Sequence, residues 1–257
     1  MHHPELEGQD RKIAVRRFAG VWSPELRNRR SIDVYLPASY PVTRRRYPVI
    51  YMQDGQNLSD PAIAFAGTWN LGAVLEKLAS EGLEAIVVGV HHAGERRLAE
   101  YSPFRDSRHD GGAGGKYLQF IARTLKARID RRFRTLSGRE TTAIAGSSMG
   151  GLISLFAFFR YPRVFGRAAV MSPALWFGDG RIFEFIERTR SPRGRLYLDV
   201  GTHEGAGALR DIRRMHRLLV AEGYSARVMR YVEAEGAPHS ESAWSERLPD
   251  ALRFLLG

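Results

Sequence analysis

The stretch Ala143-Ile144-Ala145-Gly146-Ser147-Ser148-Met149-Gly150-Gly151-Leu152 changes character in its middle. Thr141 to Ala145 is a short β-prone run, whereas Leu152, Leu155, Phe156 and Phe159 recur at helical spacing until Pro162. Strand, glycine-rich turn and helix together form the setting of a nucleophile elbow. Gly146-Ser147-Ser148-Met149-Gly150 has the G-x-S-x-G spacing such an elbow needs. A helix start capped by a serine would share some of these residues, but not the strand-to-helix switch around the motif. The spacing selects Ser148 over Ser147 as the nucleophile. Gly146 and Gly150 let chain segments approach where a Cβ would clash. The N–H of Met149, at the helix start, can stabilise an anion.

Outward from the elbow the same alternation repeats. Buried-strand patterns fall at 47–52, 84–90, 167–171, 196–200 and 226–232. Helical stripes run through Trp69–Ser80, Lys116–Arg134, Leu152–Phe159, Leu209–Leu219 and Leu248–Leu255, with a short helix expected at 182–188. Alternating strands and helices imply a mostly parallel sheet covered on both faces. Residues 11–18 and 31–37 read as an antiparallel edge pair, with Trp22 to Arg30 as the connection. The expected fold is a single α/β domain over 1–257, with a loose terminus at 1–10. Loops at 93–115 and 172–192 are expected to border the site.

A serine nucleophile needs a base and an orienting acid. His239 lies in Gly236-Ala237-Pro238-His239-Ser240, between the last strand and the last helix, and so should open at the same sheet edge as the elbow. For the acid, Leu198-Asp199-Val200-Gly201-Thr202-His203-Glu204 offers two carboxylates. Glu204 is favoured because it lies past the strand end. Asp199, still within the strand, and a serine–histidine dyad remain alternatives. A second oxyanion donor should follow the first central strand, at Tyr51-Met52-Gln53-Asp54-Gly55-Gln56-Asn57, where the Gln56 N–H is the candidate.

In this order these segments resemble the putative-esterase branch of the α/β-hydrolases. That branch includes esterase D, enterobactin-type siderophore esterases, some feruloyl esterases and mycolyltransferases. Further matches are Glu95-Arg96-Arg97, Glu100-Tyr101-Ser102-Pro103, Ser172-Pro173-Ala174-Leu175-Trp176, Gly201-Thr202-His203-Glu204, and His239 with Trp244. The resemblance spans roughly residues 30–257. It implies an α/β-hydrolase fold and a Ser148–His239–Glu204 triad with Gln56 and Met149 as backbone oxyanion donors. The implied activity is carboxylic ester hydrolysis through an acyl-enzyme, with no cofactor and no metal. Some members carry Asp or no acid where Glu204 stands. Acyl transfer to another alcohol and cleavage of a catecholate siderophore ester are the alternative activities. Arg96, Arg97, Tyr101 and Trp176 are the candidate substrate contacts, and arginines beside aromatics suit an acidic or aromatic ester. Arg96 or Arg97 could instead pair with Glu100 to order the loop.

Composition narrows the other possibilities. The chain has 257 residues, 44% hydrophobic and 26% charged, which is ordinary globular usage. Its lack of cysteine excludes disulfides, thiolate metal sites and a cysteine nucleophile. His91, His92, His109 and Asp110 are poor metal ligands, because adjacent strand residues point to opposite faces. Net charge is +11, and of 39 basic residues only Lys12, Lys77, Lys116 and Lys126 are lysine, leaving 35 arginines. Seven of the basic residues lie between Lys116 and Arg134 against Asp130 alone. That helix should join its strand at the sheet edge away from Ser148, which favours a solvated face over a nucleic-acid surface. A non-catalytic basic binding protein is thereby the weaker reading. Met1 to Asp10 has no apolar core of a signal peptide, and no run reaches the roughly 20 apolar residues of a membrane span. The expectation is a soluble cytoplasmic enzyme acting on a small-molecule ester.

Overall fold

The computed structural model describes residues 13–64 and 67–257. The terminus at 1–10 lies outside the described residues. Eight strands form one sheet: β1 (Ala14–Ser23), β2 (Asn28–Leu36), β3 (Val49–Gln53), β4 (Ile86–Val90), β5 (Thr142–Ser147), β6 (Arg167–Met171), β7 (Arg195–Gly201) and β8 (Met229–Ala234). Their spatial order is β1-β2-β4-β3-β5-β6-β7-β8. The β1–β2 and β2–β4 pairs are antiparallel, and every other pair is parallel. This is the mostly parallel α/β-hydrolase sheet with an antiparallel amino-terminal edge.

The edge departs from expectation in length. The two strands extend to a tight connection, with Trp22 opposite Arg29 and Ser23 opposite Asn28. The register shifts between Phe18 and Val21, where Gly20 has φ +62°. A bulge there reverses the inward–outward alternation, so the pattern of 11–18 stops predicting strand although the strand continues. At the far edge, the last strand is β8 at 229–234 rather than 226–232.

The helices are α1 (Leu71–Ser80), α2 (Arg97–Glu100), α3 (Gly114–Gln119), α4 (Lys126–Arg132), α5 (Met149–Arg160), α6 (Arg181–Glu187), α7 (Ala206–Ala221) and α8 (Glu241–Leu256). A π-helical segment, Phe120–Leu125, joins α3 to α4. Alternate residues of each strand enter different cores. Tyr51, Val88 and Ile144 pack with α3 to α7, while Ile50, Met52 and Val87 pack with α1 and α8. Strand side chains alternate across the sheet, so two-sided burial makes β3 and β4 continuously apolar.

The basic helix lies as expected from its composition. Arg123, Arg128, Arg131 and Arg132 are exposed, and Lys126 pairs with Asp130 four residues on. Among the described residues, no helix is long and apolar enough to cross a membrane, and no group of three or more potential ligands could hold a metal ion.

The topology also locates a crevice. From β3 the chain moves to β4 on one side and then crosses to β5 on the other. The loops leaving β3 and β5 therefore diverge at a topological switch point, where parallel sheets bind ligands.

Candidate active site

Ser148 stands between β5 and α5 with φ +55° and ψ −121°, a conformation non-glycine residues rarely adopt. Its neighbours hold it there. The Ser148 N–H donates to Met171 O at 3.0 Å, and Ala174 N–H donates to Ser148 O at 3.0 Å. Gly146 is needed for this turn, because a Cβ there would lie 2.7 Å from both Gln53 Cγ and Gly150 O. Ser147 closes β5 and lines the cleft wall, while Ser148 makes the bond to the histidine.

His239 reaches Ser148 from the loop between β8 and α8. Its Nε2 lies 3.1 Å from Ser148 Oγ and its Nδ1 lies 2.7 Å from Glu204 Oε2. The ring stands edge-on against Trp244, 4.8 Å between centroids. Glu204 follows β7, with a side chain 1% exposed. Burial pushes its carboxyl up, but hydrogen bonds from His239, Ser172 and the Gly201 N–H hold it below the usual range. Asp199 faces elsewhere. Inside β7 it is clamped by Arg247, Nε to Oδ2 at 2.9 Å, and accepts the Ser172 N–H at 3.0 Å. Burial pushes the Asp199 carboxyl up against the pull of Arg247. The structure therefore brings Glu204, and not Asp199, to the histidine.

The two candidate backbone donors follow β3 and β5, whose carboxyl ends share one sheet edge. Met149 N–H opens α5, and Gln56 N–H lies in the first turn of the short helix Gly55–Asn57, where helix starts leave donors without intrahelical acceptors. Gly55 brings that turn against β4, since a Cβ would sit 2.5 Å from Gly89 C. A cleft of about 660 Å³ opens over Ser148, with Gln56, His239 and Glu241 on its walls. Trp69 and Trp244, with centroids 5.9 Å apart, give it an aromatic side.

The candidate substrate contacts fare unequally. Arg97 lines the cleft, but its Nε and Nη2 each donate to Asp54 at 2.8 Å. Tyr101 is 0% exposed and so does not reach a ligand. It lies under Arg97, with the guanidinium 5.0 Å from its ring, and its hydroxyl accepts the Asp54 N–H at 3.0 Å. Arg96 borders an adjoining groove with Arg29 and His91. Trp176, half exposed, packs on His109 and Phe177 outside the cleft. Glu100 pairs with Arg30 at 2.8 Å rather than with Arg96 or Arg97. His91 and His92 lie past the end of β4, so strand alternation does not govern them: His91 bonds Asp33 at 2.9 Å, His92 lines the cleft, and both border the adjoining groove.

Sequence reasoning did not single out Trp69, Glu241 or Arg247. Arg247 was open to notice. It shares the apolar face of α8 with Ala243, Trp244 and Ala251, and a charge at such a position implies an internal partner.

The sheet order, the elbow and the Ser148–His239–Glu204 chain of hydrogen bonds define a serine hydrolase of the α/β-hydrolase class. The "Putative esterase" family model matches residues 23–255, and the chain belongs to that family. It is a carboxylic ester hydrolase. A relative from Bacillus subtilis, the uncharacterized protein YbbA, is 26% identical over 93% of this chain and 97% of its own. The iron(III) salmochelin esterase of Escherichia coli is 26% identical over 57% of this chain and 38% of its own. Among solved structures, the enterobactin esterase FES of Shigella flexneri, in the presence of enterobactin, superposes with a TM-score of 0.80. It is 18% identical, and the match covers 95% of this chain and 58% of that one.

Proposed function

We propose that the enzyme cleaves small-molecule carboxylic esters through a Ser148–His239–Glu204 triad and an acyl-enzyme intermediate. The observation that carries this is the unbroken path from Ser148 Oγ through the His239 ring to Glu204, 3.1 and 2.7 Å. His239 Nε2 accepts the Ser148 proton as Oγ attacks the ester carbonyl. Glu204 accepts Nδ1–H, which keeps Nε2 as the free base and stabilises the imidazolium that forms. The N–H groups of Gln56 and Met149 receive the tetrahedral oxyanion. His239 then protonates the departing alcohol, and water repeats the sequence to release the acid.

The walls of the cleft bear on which ester the site accepts. Trp69 and Trp244 offer an aromatic surface, and the Arg97 charge is neutralised by Asp54. These features support an uncharged aromatic or aliphatic ester rather than an acidic one. The aromatic wall is compatible with an ester of an aromatic acid, and one relative is named as an endo-1,4-beta-xylanase/feruloyl esterase.

The test is a fluorophosphonate label followed by peptide mapping. A single adduct on Ser148, abolished by Ser148→Ala, is expected. An adduct on Ser147, or none on the folded protein, would overturn the assignment.

A further inference from the structure

Behind Glu204 lies a second set of polar groups that the reaction does not use directly. Ser172 follows β6 with φ +43°, a strained backbone for a side chain. Its N–H is shared by two acceptors of one residue, Asp199 O and Asp199 Oδ1, each at 3.0 Å. Asp199 is in turn fixed by the Arg247 guanidinium. The strained turn is thus held in place by a buried ion pair between β7 and α8.

The hydrogen bonds of the Ser172 hydroxyl follow from its valence. A hydroxyl has one hydrogen and two lone pairs. Trp244 Nε1–H and Arg247 Nη2–H, both at 2.9 Å, can only donate, so they occupy the two lone pairs. The single hydrogen is left for Glu204 Oε1 at 2.5 Å. Oε1 also accepts the Gly201 N–H at 2.7 Å. With two donors on Oε1, Glu204 presents Oε2 to His239 as an acceptor.

We propose that Ser172, clamped by Asp199 and Arg247, is a positioning residue whose hydroxyl hydrogen is aimed permanently at Glu204, keeping that carboxylate ionised and turned toward His239. The inference rests on the triad reading above and goes beyond it. The strained backbone and the Asp199–Arg247 pair acquire a role in the proton balance of the site. The charged or titratable groups facing this assembly are His239 from the β8–α8 loop, Arg247 and Glu241 from α8, and Asp199 and Tyr197 from β7.

The sign of the effect can be derived. A donor to Glu204 stabilises the anion, so removing it raises the proton affinity of the coupled Glu204–His239 pair. The acid limb of the pH–rate profile then moves to higher pH, by less than the full worth of the lost bond, because Ser172 donates to Glu204 in both protonation states of His239.

Ser172→Gly is the cleanest variant, because glycine accepts positive φ and only the hydroxymethyl group is lost. Ser172→Ala removes the same hydroxyl while keeping a strained Cβ. The measurement is the second-order rate of fluorophosphonate labelling of the full chain between pH 4.5 and 9, with thermal melting of each variant. Both variants are expected to shift the acid limb upward together, with Asp199→Asn shifting it in the same direction by less. A uniform fall at every pH, or a wild-type limb in Ser172→Gly, would overturn the proposal and leave only a packing role. Absence of Ser148 labelling in the wild-type protein would instead sink the triad itself, so the two failures are distinguishable.

Discussion

Replacing Glu204 by glutamine should damage the enzyme at least as much as removing the side chain. Oε1 already receives two hydrogens, from Ser172 Oγ and Gly201 N, at 2.5 and 2.7 Å. An amide NH2 cannot accept, so the glutamine must place its oxygen there and turn its NH2 toward His239. That NH2 would donate to Nδ1, forcing the imidazole to carry its proton on Nε2, which faces Ser148. The base would then be protonated on the wrong nitrogen. A wrong-tautomer histidine costs on the order of 10⁴-fold in turnover where the same exchange has been made in a serine protease. Glu204→Ala loses the orienting acceptor but leaves the ring free to adopt either tautomer, so its deficit should be equal or smaller. Asp199→Asn is the control. It breaks a buried pair with Arg247, for which about 3–5 kcal/mol of stability is at stake, yet leaves the His239–Glu204 bond intact. The assay is kcat/KM on a short-chain p-nitrophenyl ester beside urea unfolding. Glu204→Gln should be folded and inactive, and Asp199→Asn unstable but active in its folded fraction. A Glu204→Gln enzyme within tenfold of wild type, or a folded Asp199→Asn enzyme with the larger loss, would refute the reasoning.

Ser148→Ala should lower turnover by about 10³-fold or more while substrate binding persists, as read by kcat and by a competitive ligand. Arg97→Ala should cost about 2 kcal/mol in urea unfolding by leaving Asp54 without its bidentate partner, and should lower activity because Asp54 precedes the Gln56 donor turn. Among esters of one alcohol, neutral aromatic acyl groups should exceed dicarboxylate monoesters by at least tenfold in kcat/KM. The reverse order would restore Arg97 as an anion receptor. Acid stability follows from Asp33 and Glu204, whose folded pKa values lie below their ordinary 3.8 and 4.5. The unfolded chain then binds protons more readily. The stabilisation is complete above the unfolded values and is lost as pH falls through the folded ones. Urea midpoints should therefore begin to decline as pH falls through about 6.5, where burial of His92 and His216 makes the unfolded chain the better proton acceptor, and decline further below about pH 5, less steeply there in Glu204→Gln.

The parts of the site that the sequence made legible are those governed by local rules. A nucleophile elbow needs small residues at fixed offsets, and Gly146 meets Gln53 and Gly150 as that rule requires. Glu204 and His239, which meet at 2.7 Å, were open to selection because loops after parallel strands share one edge, which is topology rather than contact. Side-chain reach was not legible. Tyr101 and Arg97 lie four residues apart on one short helical turn, yet one is sealed beneath the other, because the Asp54 loop from β3 closes over them. Trp176 turns away toward His109, while Trp69, from a segment with no motif, forms the cleft wall. These placements depend on which distant segments pack together, and spacing along the chain does not encode that. The β1 bulge is a similar case, since one inserted residue reverses the alternation by which strands are recognised.

The arginine excess divides by the same logic. On α4 the guanidinium groups are solvated, and none borders the cleft. Inside the fold, three arginines hold carboxylates at positions where a lysine would fail. Arg247 bonds Asp199 and Ser172 at once, Arg97 grips Asp54 with two parallel bonds, and Arg30 forms an ion pair with Glu100 while lying 5.2 Å from the Tyr117 ring. Each contact uses a planar fork, donors on separate nitrogens or a flat stacking face, and an ammonium group, with its three donors on one atom, offers none of these geometries. Two of the three sit directly behind the chemistry, Arg97 behind the Gln56 donor turn and Arg247 behind Glu204. Arg97→Lys and Arg247→Lys should therefore preserve net charge but not activity, whereas lysine at Arg123, Arg128 or Arg131 should leave it within twofold. Equal losses from the two groups would mean that charge, and not the shape of the guanidinium, is what the site requires.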